Sequence, residues 1–149
     1  MNESTSPQLQ LLVEKACRDL VMDAAARTDA QDHAGLAALF TPDAVLVRPG
    51  AAPLQGRAAI EASYRERPAE RLTAHLICGI RLTLGGDARA SAVTQVLVWS
   101  GSRADEAGPM GRPATARQAL GQFEDSFELT DEGWRIARRV ARFALYRDQ

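Results

Sequence analysis

The hydrophobic pattern changes period along the chain, and the change separates a helical first part from a β-strand second part. Residues 7 to 28 carry Leu11, Leu12, Val13, Leu20, Val21, Met22 and the run Ala24 to Ala26, with Pro7 suited to a first helical turn. Asp32 reads as the N-cap of a short second helix ending near Phe40, with TPDA as the turn after it. The apolar triplet VLV, β-branched at its two valines, predicts a short strand cut off by Arg48-Pro49-Gly50. GRAAIEASYRER, 56 to 67, predicts a third helix with Ile60 and Tyr64 one turn apart, stopped by Pro68. From there the period falls from 3.6 to 2. Four long strands follow, near 71 to 84, 88 to 101, 115 to 130 and 133 to 146, separated by GG, a Gly/Pro-rich loop and DEG. The loop SRADEAGPMGRPA, polar and punctuated by Gly and Pro, reads as mobile. Helices first and antiparallel strands afterwards predict an α+β domain, with helices on one face of a curved sheet that can close around a pocket.

The last hairpin allows a register to be written. With Asp131 and Glu132 as the turn, Leu129 faces Trp134, Phe127 faces Ile136, Asp125 faces Arg138 and Phe123 faces Val140 on one side. On the other side Glu128 meets Arg135 and Glu124 meets Arg139. One face is an apolar ladder interrupted by an Asp and an Arg; the opposite face is a row of charge pairs. A carboxylate between Phe123 and Phe127 must be paired to offset its lost hydration, and Arg138 is the expected partner. Trp99 shares a strand face with Leu97 and is expected at the pocket or at an interface.

Composition narrows the classes. A chain of 149 residues, 46% hydrophobic, fits one domain spanning 1–149 with a full core. Its net charge of −1, from 18 basic and 19 acidic residues, gives no footprint for nucleic acid or an anionic membrane. The N-terminus lacks a basic region followed by an apolar run, so a soluble cytoplasmic protein is expected. Cys17 and Cys78 lie in apolar surroundings without ligand spacing and are expected as reduced, buried thiols. Two histidines far apart and no clustered cysteines imply no required metal, and no cofactor is expected.

Of the two histidines, His75 is the candidate base, because an unperturbed imidazole titrates near pH ~6.5. Simple alternation sets Leu72, Ala74, Leu76, Cys78, Ile80, Leu82 and Leu84 on one face and His75 on the other. Gly79 inside the strand marks a bulge, and an extra residue at Cys78 or Gly79 would align His75 and Ile77 with Ile80, Leu82 and Leu84. Near the end of the first helix, Asp29, Asp32 and His33 follow the same apolar face as Leu36, Leu39 and Phe40. Asp32 is explained as a cap. Asp29 is either a turn acid at the helix end or a functional group.

DAQDHAGLAALFTPDAVL, the later LQGRAAI, the strand start LTAHLI and GQFEDSFELTDEGWRIARR, in that order, resemble the SnoaL-like branch of the nuclear-transport-factor-2-like superfamily over nearly the whole chain. The resemblance implies a cystatin-like cone: three N-terminal helices packed on a strongly curved, mainly antiparallel sheet that encloses a largely apolar pocket. In dehydratase and dehydrochlorinase members of that superfamily, an Asp near the end of the first helix and a His on the first long strand form a dyad, which fall here on Asp29 and His75. His33 stands where the family often has Trp, which makes it a wedge between helix and sheet. The Tyr or Lys that those enzymes tend to carry five residues before the Asp is replaced here by Ala24.

The resemblance implies two functions of different class. The first is a cofactor-independent lyase or isomerase, of dehydratase or cyclase type, in which His75 takes a proton from carbon and Asp29 orients the imidazole, acting on a small apolar or aromatic molecule. Asp125, Arg138, Phe123 and Trp99 would line or support the pocket. The second, favoured by Ala24, is a non-catalytic ligand-binding or assembly domain resembling a ring-hydroxylating dioxygenase β subunit. Because Val96 and Val98 share one face of their strand and Leu97 and Trp99 the other, both faces of the sheet carry large apolar groups while the helices can cover only one, and a homo-oligomer, dimer or trimer, is expected.

Overall fold

The long N-terminal helix, α1 (Pro7–Asp29), starts where Ser6 accepts a hydrogen bond from the Leu9 N–H at 3.2 Å and Pro7 sets the first turn. Its buried face is Val13, Cys17, Leu20, Val21 and Ala24, recurring every three or four residues. The computed structural model describes residues 5–86 and 88–148. After α1 the chain reverses through Gln31, a non-glycine residue at φ 55°. Asp32 then caps α2 (His33–Ala37), accepting from the Gly35 N–H at 3.0 Å. This helix is shorter than its sequence suggests. Phe40 opens β1 (Phe40–Val47) instead, because pairing with a distant strand captures it. The short β2 (Leu54–Gln55) leads through Gly56, at φ 90°, into α3 (Arg57–Arg65), and a residue with a Cβ would be strained at that entry.

Four long strands complete the chain: β3 (Arg71–Leu84), β4 (Arg89–Ser102), β5 (Gln118–Thr130) and β6 (Gly133–Arg147). With β1 and β2 they form one six-stranded sheet in the order β2-β1-β6-β5-β4-β3, antiparallel except for β1 beside β6. The architecture is α+β, and the sheet is not closed on itself. Its core lies between the helices and one sheet face, where Leu36, Phe40, Leu46, Ile60, Phe127 and Ile136 are fully buried. The loop between β4 and β5 is tied down by reciprocal Gly108–Gly111 hydrogen bonds and by the Arg103 N–H bonded to Glu70 O at 2.7 Å.

β3 is an edge strand, and α1 with the turn after it satisfies three of its free backbone groups. The Arg18 guanidinium donates to Ile80 O at 3.0 Å, the Gln31 side-chain amide donates to Arg71 O at 2.8 Å, and the His75 N–H donates to Asp29 Oδ2 at 2.9 Å. Each of these groups would otherwise be open to another strand.

Bulges decide which side chains face inward. In β3, Ile77 is opposite Val96 and Gly79 is opposite Gln95, so Cys78 is the extra residue. His75 and Ile77 therefore share the inner face with Ile80, Leu82 and Leu84. The same bulge puts Cys78 at the surface, against the expectation of two buried thiols; Cys17 alone of the pair is buried.

In the last hairpin, Leu129–Trp134, Glu128–Arg135 and Phe127–Ile136 pair as the sequence suggests. Ala137 is then an extra residue in β6, and the pairs from Ser126–Arg138 to Gly121–Phe143 slip by one; Ala144 is a second extra residue, so that Leu120 faces Leu145. Asp125 faces Arg139 instead of Arg138, and Phe123 faces Ala141 instead of Val140. Glu124 faces Val140 and makes its ion pair with Arg142 at 3.4 Å, not with Arg139.

Candidate functional site

The end of α1 and the start of β3 meet at one carboxylate. Asp29 Oδ1 lies 2.6 Å from His75 Nδ1 and accepts the Thr73 hydroxyl at 2.9 Å, while Oδ2 takes the His75 backbone N–H. The strand fixes this arrangement twice, since Thr73 and His75 are alternate residues on one face and both reach the same acid. Burial pushes the Asp29 carboxyl up, but the His75 ring and backbone, with Thr73, outweigh it and hold the group below its ordinary value of 3.8. The side chains of His75 and Asp29 are 16% and 26% exposed, so the pair is sheltered yet reachable. With Nδ1 engaged by Asp29, Nε2 is the ring nitrogen left for a ligand.

His75 lines a cavity of about 130 Å³ between α1, α3 and the inner sheet face. Its walls are largely apolar, from Ala24, Leu46, Val96, Val98 and Phe123. One end carries Arg48, Tyr64, Arg67, Arg71 and Thr73, and Tyr64, Arg67, Arg71 and Thr73 also line a second, smaller cavity that includes His33.

Asp125 and Arg139 form a buried bidentate pair beside this cavity, with Nε–Oδ1 at 2.7 Å and Nη2–Oδ2 at 2.9 Å. Burial works against the Arg139 charge, but the adjoining Asp125 carboxylate prevails and strengthens its hold on the proton. The guanidinium also lies 4.2 Å over the Phe123 ring. Arg139 and Phe123 line the cavity; Asp125 braces Arg139 from behind.

Two of the residues expected at the pocket lie elsewhere. Arg138 is exposed on the outer face, for the Ala137 bulge turned its neighbour inward. Trp99 is 45% exposed beside a shallow groove on the opposite sheet face. Sequence reasoning also passed over Thr73, Tyr64, Arg67 and Arg71. The alternation of Arg71, Thr73 and His75 along β3 was the available signal, because any register that turns His75 inward brings the other two with it.

The model of the SnoaL-like domain family matches residues 10–140. The chain belongs to this family. None of the curated proteins compared matches this family member in sequence. Among solved structures, a scytalone dehydratase candidate from Novosphingobium aromaticivorans DSM 12444 superposes with a TM-score of 0.80 at 21% identity, over 97% of this chain and 92% of the other. Hexachlorocyclohexane dehydrochlorinase LinA-type3 from Novosphingobium barchaimii LL02 gives 0.81 at 16% identity, over 97% and 94%. An NTF2-like protein with a cystatin-like fold from Novosphingobium aromaticivorans gives 0.69 at 23% identity, over 90% and 84%. At these identities the SnoaL-like chain shares the neighbours' fold, and its chemistry has to be argued from its own side chains. Among the described residues there is no group of three or more side chains that could hold a metal ion, and no helix long and apolar enough to cross a membrane.

Proposed function

We propose that this SnoaL-like protein is a cofactor-independent lyase or isomerase of small molecules, of dehydratase or cyclase type. The observation that carries the reading is the Asp29–His75 contact opening onto a largely apolar cavity. His75 Nε2 removes a proton from a carbon made acidic by a neighbouring carbonyl. The C–H electron pair then either expels a leaving group from the next carbon, forming a double bond, or rests as an enolate that is reprotonated or attacks an electrophile elsewhere in the substrate. Asp29 holds Nδ1–H, fixes the tautomer and faces the imidazolium that forms. Support also comes from neighbours whose names include a dehydratase and a dehydrochlorinase. The test is dehydration of 3-hydroxy-1-tetralone to 1-naphthol, followed by absorbance. The expected result is catalysis by the wild type and a loss of about 10²- to 10⁴-fold in His75→Gln. A wild type that neither forms naphthol nor exchanges the α-protons of 1-tetralone into deuterated water would sink the reading.

One observation favours a second reading, a non-catalytic binding or assembly domain. Ala24 is fully buried in the cavity wall and supplies no proton donor there. On the outer sheet face, Leu76, Leu97, Leu120 and Leu145 stand opposite one another in a single row across four strands, with Trp99 close by. Leu76 is 48% exposed and Leu145 68%, an apolar band suited to burial against a second copy in a dimer or trimer. That assembly is compatible with either reading.

A further inference from the structure

The cavity's polar end holds more positive charge than the described residues neutralise. Five arginines line the cavity. Arg139 is matched by Asp125, and Arg142 pairs with Glu124. Arg48, Arg67 and Arg71 have no carboxylate partner among the described residues, and no Asp or Glu lines either cavity at this end.

Two of the three cations are held at one ring. Arg67 Cζ lies 4.4 Å and Arg48 Cζ 5.3 Å from the Tyr64 centroid. A guanidinium stacked on an aromatic uses its flat face and keeps its N–H edge for a ligand. Arg67 is half-buried, where an uncompensated charge is costly, and burial together with the like charges of Arg48 and Arg71 pulls it below its ordinary value. Surface arginines could turn into water to relieve such repulsion. Arg67 is instead half-buried at the cavity wall, beside Arg48 and Arg71 and with no Asp or Glu among the lining residues.

From this arrangement, and resting on the small-molecule reading above, we propose that the substrate is an organic acid with an apolar ring body, whose carboxylate is bound by Arg67, Arg71 and Arg48 while the ring lies toward His75. The planar fork of a guanidinium matches a carboxylate edge to edge, and the rest of the cavity suits a body without charge. Arg71 and His75 are four residues apart on one strand face, about 13 Å along the backbone. The anionic group is thus at the far end of the substrate from the carbon that loses its proton, with a ring or two between.

Binding tests this without requiring turnover. The affinities of 2-naphthoate and of its neutral isostere 2-naphthamide are measured by isothermal titration calorimetry. The acid is expected to bind about tenfold or more tightly than the amide. Arg67→Gln and the exposed Arg71→Gln should each erase most of that preference while leaving amide affinity within about twofold, each variant's fold being checked by circular dichroism. His75→Gln should retain the preference, so that loss of the catalytic reading would leave the anion site standing and the reverse would also be visible. Equal affinities for acid and amide, a preference untouched by both arginine variants, or no naphthoate binding at millimolar concentration would each overturn the proposal.

Discussion

Asp29 and His75 are 46 residues apart in the chain, yet Oδ1 of one lies 2.6 Å from Nδ1 of the other. Two local features bring them together. The turn at Gln31 fastens the end of α1 to β3 through the Arg71 carbonyl, and the extra residue Cys78 keeps His75 on the same face as the apolar residues that follow it. Asp29 is at once an edge-strand cap, through the His75 N–H, and a partner for the His75 ring.

That double role gives Asp29 a pH signature. Its folded-state value lies below 3.8, so the stability it contributes is present above that pH and is lost as pH falls through the lower folded value. Urea unfolding of the wild type and of Asp29→Asn should differ fully at neutral pH, with the gap closing below about pH 4. A gap that widens in acid would show that the carboxylate is not held by His75 and Thr73.

Neighbouring arginines should behave oppositely. Arg139→Leu leaves the Asp125 carboxylate, whose side chain is 0% exposed, without its counter-ion and should cost about 3 to 5 kcal/mol. Arg138→Leu, on the exposed face, should stay within about 0.5 kcal/mol. Equal destabilisation of the two in denaturant titrations would contradict the Ala137 bulge.

The two cysteines differ as sharply. Burial pushes the Cys17 thiol up to about 11, while Cys78 stands exposed on its bulge. Ellman's reagent at pH 8 should therefore titrate one thiol per chain in the native protein and a second in guanidinium chloride. Rapid reaction of both thiols in the native state would place Cys17 outside the core.

The leucine row on the outer sheet face predicts assembly. Light scattering at micromolar concentration should return a mass of two or three chains of 16.1 kDa, and Leu97→Arg or Leu120→Arg should shift it to the monomer. A monomeric wild type would show that the face stays in solvent.

Much of this architecture is written in local pattern. The change of period at Pro68 separates helices from strands because a helix buries every third or fourth residue and a strand every second. The hairpin turn and its first three pairs follow from Asp131, Glu132 and the ladder beside them. Gly79 even signals that β3 cannot be regular, which is why His75 could be named as an inward residue. What local pattern could not supply is the position of bulges that no glycine marks. Ala137 looks like any strand residue, yet its extra place in β6 chooses between two adjacent arginines, burying Arg139 with Asp125 and leaving Arg138 in solvent. A one-residue slip reverses every later side chain, and the slip is set by pairing with another strand and by helices packed across it. The same holds at the cavity's cationic end: Arg48, Arg67 and Arg71 are ordinary polar residues in sequence, and tertiary packing alone places them in one cavity, with two of them on one tyrosine ring and none paired with a carboxylate among the described residues.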